Sequence, residues 1–278
     1  KDPVLVQYGD GATDVEVRVI DSAQGPMVIV HLLVNTLDAM GANAVNTMAE
    51  AVAPYLAELT GGLPYLRILS NLADKRLARA RCVISKEAIG GEDVVDKVLI
   101  AYAFAAADPY RAATHKKGIM NGLSAAVLAT GNDTRAIESG AHAYAARSGQ
   151  YSPLTTWEKS VSGDLVGTIE LPMAVGLVGG ATKIHPAAQT AVKILGVASA
   201  AELAQVFAAL ALAQNLAAIR ALATDGIQKG HMGLHARNLA TVAGATGEEL
   251  EAIVKKMVDE KKVRLEYAKE LLEEYRKG

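Results

Sequence analysis

Residues 108–133 (DPYRAATHKKGIMNGLSAAVLATGND) constrain this chain more than any other stretch. Arg111, His115, Lys116, Lys117, Asn121, Asn132 and Asp133 are set there among alanines and glycines, where a solvated surface would spread its charges. An alanine-rich run (AYAFAAA) leads in, and residues 125–129 separate the lysines from the aspartate. A buried or half-buried lysine needs a counter-charge, because an unpaired ammonium in a low-dielectric interior is costly. Asp133 is the nearest downstream carboxylate that could supply one. The plainer alternative is a helix N-terminus with its basic residues in solvent.

Such a cluster needs a core around it. With 278 residues, 51% of them apolar, the chain can bury one as one large or two smaller domains. A formal net charge of −2 gives no reason to expect nucleic acid or an anionic membrane as partner. Cys82 is the only cysteine, which excludes an internal disulfide and fits a reducing, cytoplasmic compartment. No charge-free apolar stretch of about 20 residues and no signal-like start is present. The chain begins Lys1-Asp2-Pro3 rather than with Met.

Residues 13–20 (TDVEVRVI) alternate as a half-buried strand, and residues 27–35 (MVIVHLLVN) predict a more deeply buried one. A turn at 23–26 joins them as a hairpin. A helix is expected from about residue 38 to 60, stopped by Gly61-Gly62 and kinked at Pro54. Apolar segments at 66–69 and 80–85 flank the polar connector SNLADKR. Strand, glycine turn and helix invite a nucleotide, since free N–H groups at a helix start suit a phosphate. Gly41 stands alone in DAMGAN, however, with no GxGxxG or GxxxxGK[ST], so a Rossmann or P-loop site is disfavoured. Taken bare, DAMGAN is a structural cap.

Helices are expected at 92–107 and 135–147, and strands at 151–156 and 165–170. Residues 172–182 (PMAVGLVGGAT) form an uncharged glycine-rich loop, either a tight turn or a place where backbone approaches a ligand. Residues 202–224 predict a helix buried all round. In GHMGLHARN (230–238), His231 and His235 share a helix face near Arg237. With no HExxH and no cysteine partner, the set disfavours a metal site and fits a proton donor or acceptor near neutral pH. From Thr246, with Glu249 completing a capping box, charges of both signs mark a solvated helical appendage able to act as a closing segment.

DAMGAN, SNLAD, DPYRAATHKKGIMNG, ATGND, GLVGGAT and GHMGLHARN, in that order and through essentially the whole chain, resemble the bacterial-class (class II) hydroxymethylglutaryl-coenzyme A reductases. The resemblance implies an α+β fold with a large, mainly helical substrate domain (66–225). It also implies a ferredoxin-like, non-Rossmann dinucleotide-binding small domain (1–65) and a C-terminal helical flap (226–278). It implies interconversion of 3-hydroxy-3-methylglutaryl-CoA and mevalonate plus CoA with two equivalents of NAD(P)H, in a homodimer or an oligomer of dimers with an interfacial active site, without nucleic acid or membrane. Lys117, Asp133 and His231 match the catalytic positions; Arg111 and Thr114 match positions near the substrate carboxylate, and Asn121 one lining the site. Asp38, Met40, Gly41 and Asn43 of DAMGAN, Asn71 of SNLAD, and Gly179 and Gly180 match cofactor-binding positions. Asp2 matches an acidic residue meeting the adenosine ribose, which implies NADH over NADPH, since a carboxylate repels a 2′-phosphate. GLVGGAT departs from the commoner GTVGGGT at Leu177 and Ala181, while Gly176, Gly179 and Gly180 persist.

The family's catalytic glutamate has no matching motif in these residues and is expected upstream of Lys1, with about the first third of the natural protein. Residues 1–278 alone are therefore expected to be poorly soluble and inactive, and to be rescued by co-expression of that part. The alternative reading is a non-catalytic CoA- or nucleotide-binding relative.

Overall fold

The structure is a computed structural model and describes residues 11–224 and 226–277. β1 (Gly11–Ile20) and β2 (Met27–Asn35) pair antiparallel from Gly11↔Asn35 to Ile20↔Met27. Gly25 closes the connecting turn at φ 98°, and its N–H donates to Ser22 O at 3.0 Å. Neither strand is deeply buried, contrary to the expectation for β2. Among the described residues the sheet has two strands, and Val15, Val17 and Val19 on one face are 53–66% exposed. α1 (Ala42–Thr60) begins after Gly41 rather than at residue 38, because residues 36–40 form a separate turn, and it ends at the left-handed Gly61. Pro54 lies inside it and cannot donate to the carbonyl of Glu50. The apolar run that follows is surface rather than core: Leu66 and Ile68 are exposed.

β3 (Leu77–Ile84), β4 (Thr155–Lys159) and β5 (Leu165–Pro172) form an antiparallel sheet in the order β3-β5-β4. β4 starts four residues later than the alternation suggests. Residues 151–152 instead close the preceding helix, with Ser152 N–H donating to Ala145 O at 3.0 Å. The helices around the sheet are α2 (Lys86–Ile89), α3 (Glu92–Ala107), α4 (Pro109–Ala129), α5 (Thr134–Ala145), α6 (Gly180–Ile184), α7 (Pro186–Leu195) and α8 (Ala200–Ala223). α8 is long and apolar enough, by length and composition, to cross a membrane. It buries one side, with Leu203, Phe207, Ala211 and Ile219, rather than its whole circumference, and Leu222 is exposed.

α4 and α8 set the geometry of everything near them. A Cβ on Gly118 would lie 3.3 Å from the Ala218 Cβ, and one on Gly122 would lie 2.6 Å from Gln214 Oε1. Two glycines four apart thus form a smooth strip that lets the helices approach closely. Beside the strip, His115 and Asn215 are buried together. Asn215 Oδ1 accepts from Trp157 Nε1 (2.8 Å) and Thr155 Oγ1 (3.1 Å), so its Nδ2 is the donor to His115 Nε2 (3.0 Å). His115 Nε2 also lies 2.9 Å from Thr155 Oγ1, so the ring is held on that side by two neighbours, while its Nδ1 has no hydrogen-bond partner among the described residues.

α9 (Ile227–Val242), α10 (Gly247–Asp259) and α11 (Leu265–Lys277) carry a second core, with Ala236, Ala240, Ile253, Met257, Leu271 and Leu272. The expected capping box of Thr246 and Glu249 is formed. Arg276 folds back from α11 to Glu249 (2.7 Å) and to the Gly244 carbonyl (3.1 Å). The Arg276 hydrogen bond, then the Thr246 amide, hold the Glu249 carboxyl down at about 2.

Burial, followed by the charges of Arg111 and Lys116, lowers the His115 pKa to about 4 from 6.5. The unfolded chain therefore takes up this proton first as pH falls. Stability from His115 is complete above about pH 6.5, is lost between 6.5 and 4, and is level below that, a total on the order of 3 kcal/mol. Urea unfolding of His115→Gln at several pH values should show a flatter slope across that window than the parent; an unchanged slope would assign the effect elsewhere.

Candidate active site

α4 starts cleanly: Asp108 accepts from the Arg111 N–H at 2.7 Å, and Pro109 occupies the first turn. With Gly118 and Gly122 turned to α8, the residues one position earlier, Lys117 and Asn121, lie about 100° round the helix. Both are exposed, as is Thr114 one turn before, whose hydroxyl donates to Tyr110 O at 3.3 Å. The same face carries exposed Tyr110 and Leu128 near its ends. Arg111 is half-buried, and burial lowers its pKa. Among the described residues Lys117 makes no hydrogen bond or ion pair.

The buried lysine is its neighbour. Lys116 is 0% exposed, and its Nζ sits 3.7 Å from the centroid of the Tyr151 ring, with no hydrogen-bond partner among the described residues. Burial first, and then the charge of Arg147, lowers its pKa to about 7. The expected carboxylate counter-charge is not there. Asp133 is the N-cap of α5, where Oδ1 accepts from the amides of Arg135 (2.9 Å) and Ala136 (3.2 Å) and pairs with the Arg135 guanidinium at 3.4 Å. Burial alone would raise the Asp133 pKa; the Ala136 and Arg135 hydrogen bonds reverse that and lower it. Its turn is locked from behind. Asn132 Oδ1 accepts from Gly176 N–H at 2.8 Å, and a Cβ on Gly131 would come within 2.9 Å of the Thr182 nitrogen.

The segments matched to cofactor binding converge on that same turn. Asp38 Oδ1 accepts from the Ala200 N–H at 2.7 Å, capping α8, and its carbonyl accepts from Leu177 (2.8 Å) and Val178 (3.2 Å). The Asp38 carboxylate is thus engaged with protein. Met40 is half-exposed and Asn43 exposed. Gly41 has φ 100°, and any Cβ there would strike the Thr36 side chain. Asn71 has an exposed side chain, while its carbonyl lies 2.5 Å from where a Gly140 Cβ would be. Gly179 and Gly180, at φ 80° and 55°, are exposed with open space on the Cβ side. They leave bare backbone that an extended polar ligand such as a dinucleotide can approach.

Asp2 and the His231 side chain lie outside the described residues; the His231 backbone belongs to α9. His235 is exposed, and Arg237 is paired with Glu251 at 2.7 Å, within the three-helix unit. Sequence reasoning missed Arg76 and Thr36 and gave Asn132 no role. Arg76 lies in the SNLADKR connector, and nothing local shows that its guanidinium reaches back to residues 36–40.

The scaffold is a mixed helix-and-sheet one that carries a polar helix face and glycine-ordered loops. The chain belongs to the hydroxymethylglutaryl-coenzyme A reductase family, whose model matches residues 3–236. It is 64% identical over 275 residues to the 3-hydroxy-3-methylglutaryl-coenzyme A reductase of Archaeoglobus fulgidus, covering 99% of this chain and 63% of that protein. It is 40% identical over 214 residues to a probable reductase of Borreliella burgdorferi, covering 75% of this chain and 49% of that protein. Among solved structures it is similar to the class II reductase of Streptococcus pneumoniae bound to NADPH in open conformations. That match has a TM-score of 0.79 and 43% identity, and covers 99% of this chain and 68% of the other. The chain therefore spans less than two thirds of the length of these curated relatives.

Lys116 offers a direct check on which lysine is buried. Its folded pKa lies below the unfolded 10.5, so its contribution to stability is present above about pH 10.5 and lost as pH falls toward 7. Lys116→Met keeps the length and removes an ammonium without a hydrogen bond. It should stabilise the protein by about 1–3 kcal/mol at or below pH 7, with the gain fading as pH approaches 10.5. A loss of stability in denaturant titrations would show that the ammonium is paired.

Proposed function

We propose that the chain acts as a hydroxymethylglutaryl-CoA reductase, interconverting 3-hydroxy-3-methylglutaryl-CoA and mevalonate plus CoA. The observation that carries this reading is the outward face of α4. Lys117 and Asn121 stand there exposed and, among the described residues, unpaired with protein, on the helix whose end leads into the fixed Asn132-Asp133 turn. Bound NADH or NADPH supplies the two hydrides of the four-electron change from thioester to primary alcohol.

The chain's own residues then take these roles. Arg111 and Thr114, on the first turns of α4, bind the free carboxylate of the acyl group. The Lys117 ammonium stabilises the negative charge that develops on the thioester oxygen, a compact cation aimed at an oxyanion. Asp133 keeps Oδ1 on the amides of α5 and offers its other carboxylate oxygen to the reacting centre once substrate is bound, and Asn121 orients the carbonyl. His231, on α9, gives a proton to the CoA thiolate as it leaves. Asp38 works by fixing its loop, through the Ala200 amide and the Leu177 and Val178 amides, so that Met40, Gly41 and Asn43 face the dinucleotide. Asn71, Gly179 and Gly180 complete that surface. A preference for NADH rests on Asp2.

We assign residues 1–65 to a ferredoxin-like cofactor unit, 66–225 to the substrate unit and 226–278 to a flap. The separate hydrophobic clusters spanning 78–219 and 236–272 support the last division. A homodimer with an interfacial site, in the cytoplasm, completes the reading. The uncovered α4 face with Tyr110 and Leu128 supports it, since an exposed apolar and functional face is suited to a partner surface.

Two measurements test the assignment. In the complete natural protein, Lys117→Ala should reduce CoA-linked NAD(P)H oxidation by about 10²–10³-fold or more with the fold intact. Damage from Lys116→Ala with Lys117→Ala harmless would reverse the two lysines. For His231→Gln, reduction of the thioester should slow far more than reduction of free mevaldehyde, which expels no thiol. Equal loss on both substrates would remove His231 from the thiolate step.

A further inference from the structure

Arg76 belongs to none of the motifs above, yet among the described residues its side chain makes five hydrogen bonds around the candidate cofactor surface. Its Nη1 reaches Thr36 Oγ1 (2.9 Å), Ala39 O (3.0 Å) and Met40 O (3.0 Å). Its Nη2 reaches Leu37 O (3.3 Å) and Val175 O (2.7 Å). Its own carbonyl accepts from Met173 N–H at 2.9 Å. One residue therefore grips the turn that follows β2 and the strand end that opens the glycine loop.

Three carbonyls of the turn, those of Leu37, Ala39 and Met40, point their negative ends at one place, and they converge only because a cation sits there. Leu37 is held at φ 51°, a left-handed conformation that costs a leucine on the order of 1 kcal/mol and persists only where its surroundings enforce it. Gly176 packs so tightly on the Ala39–Met40 peptide that a Cβ would overlap it. Buried Thr36 donates to Ala39 O at 3.0 Å and so presents its oxygen to the guanidinium. None of the Arg76 hydrogen bonds goes to α4.

We propose that Arg76 is a positioning residue for the dinucleotide: its planar fork holds residues 36–41 and 175–180 as one preformed surface. The proposal rests on the reductase reading above. It places the effect on cofactor affinity and not on the acyl-CoA side, because the substrate face of α4 is held independently by α8. A lysine at this position offers three donors without the fork and cannot reach all five acceptors.

The test uses the complete natural protein, with nicotinamide fluorescence titrations and steady-state kinetics on Arg76→Met, Arg76→Lys and Thr36→Val. Arg76→Met should raise the KM and Kd for the dinucleotide by about tenfold or more. It should leave the KM for 3-hydroxy-3-methylglutaryl-CoA within about twofold. Arg76→Lys should recover part of the loss, and Thr36→Val should shift the same constants in the same direction by less. The clamp is overturned if the two KM values move together, or if stability falls while both stay put. Should Arg76→Met not fold, an unchanged dinucleotide KM in Thr36→Val overturns it. A parent protein with no saturable NADH or NADPH binding would instead sink the reductase reading itself.

Discussion

The contact between α4 and α8 decides how the polar stretch of this chain is used. Where Gly118 meets Ala218 and Gly122 meets Gln214, the helices lie so close that a Cβ on α4 would push the Ala218 methyl aside by a few tenths of an ångström and displace the Gln214 amide. That fixes the rotation of the helix about its own axis, and the buried His115–Asn215–Trp157 network prevents the helices from sliding. Once rotation and register are set, the fate of each neighbour follows. Lys116 turns inward onto Tyr151, and Lys117 and Asn121 turn outward. Two identical side chains, adjacent in sequence, acquire opposite properties. One is desolvated, with its pKa drawn down to about 7; the other is free to meet a ligand.

A second constraint is close backbone approach. Gly131 against Thr182, Gly140 against Asn71 and Gly176 against Met40 each bring two chain segments nearer than any side chain permits. Polar groups fill what remains: Asn132 to Gly176, Asp38 to Ala200, and Arg76 to the turn. The candidate cofactor surface is therefore preformed by contacts behind it. The residues at its front, Asn43, Gly179 and Gly180, stay exposed. Asp38 sits in the DAMGAN segment, but its carboxylate is bonded inside the protein.

The local features of the fold were legible from the chain alone. Alternation at 13–20, the turn before Met27, the stop at Gly61-Gly62, the capping box at Thr246 and the helices around residues 92–107 and 202–224 depend on neighbours within about four positions, and periodicity reports those. The ordered motifs also sufficed to identify the family. What local pattern could not supply was the second partner of each long-range contact. Arg76 meets Val175 across 99 residues, and Asp38 meets Ala200 across 162. Periodicity also could not say that β2 and residues 66–69 stay near the surface, since burial requires something to lie on top.

The sequence by itself determined that a few charged and amide side chains would sit among small residues in one stretch, with glycines four apart; that this stretch is a single helix, α4, came from the structure. Only the tertiary structure decided which lysine those glycines would turn inward, and that Asp133 would cap α5 rather than pair with a lysine. The physical reason is that a helix face has no inside until another element packs against it. A carboxylate at a helix start is claimed by the free amides there before a flexible lysine can reach it.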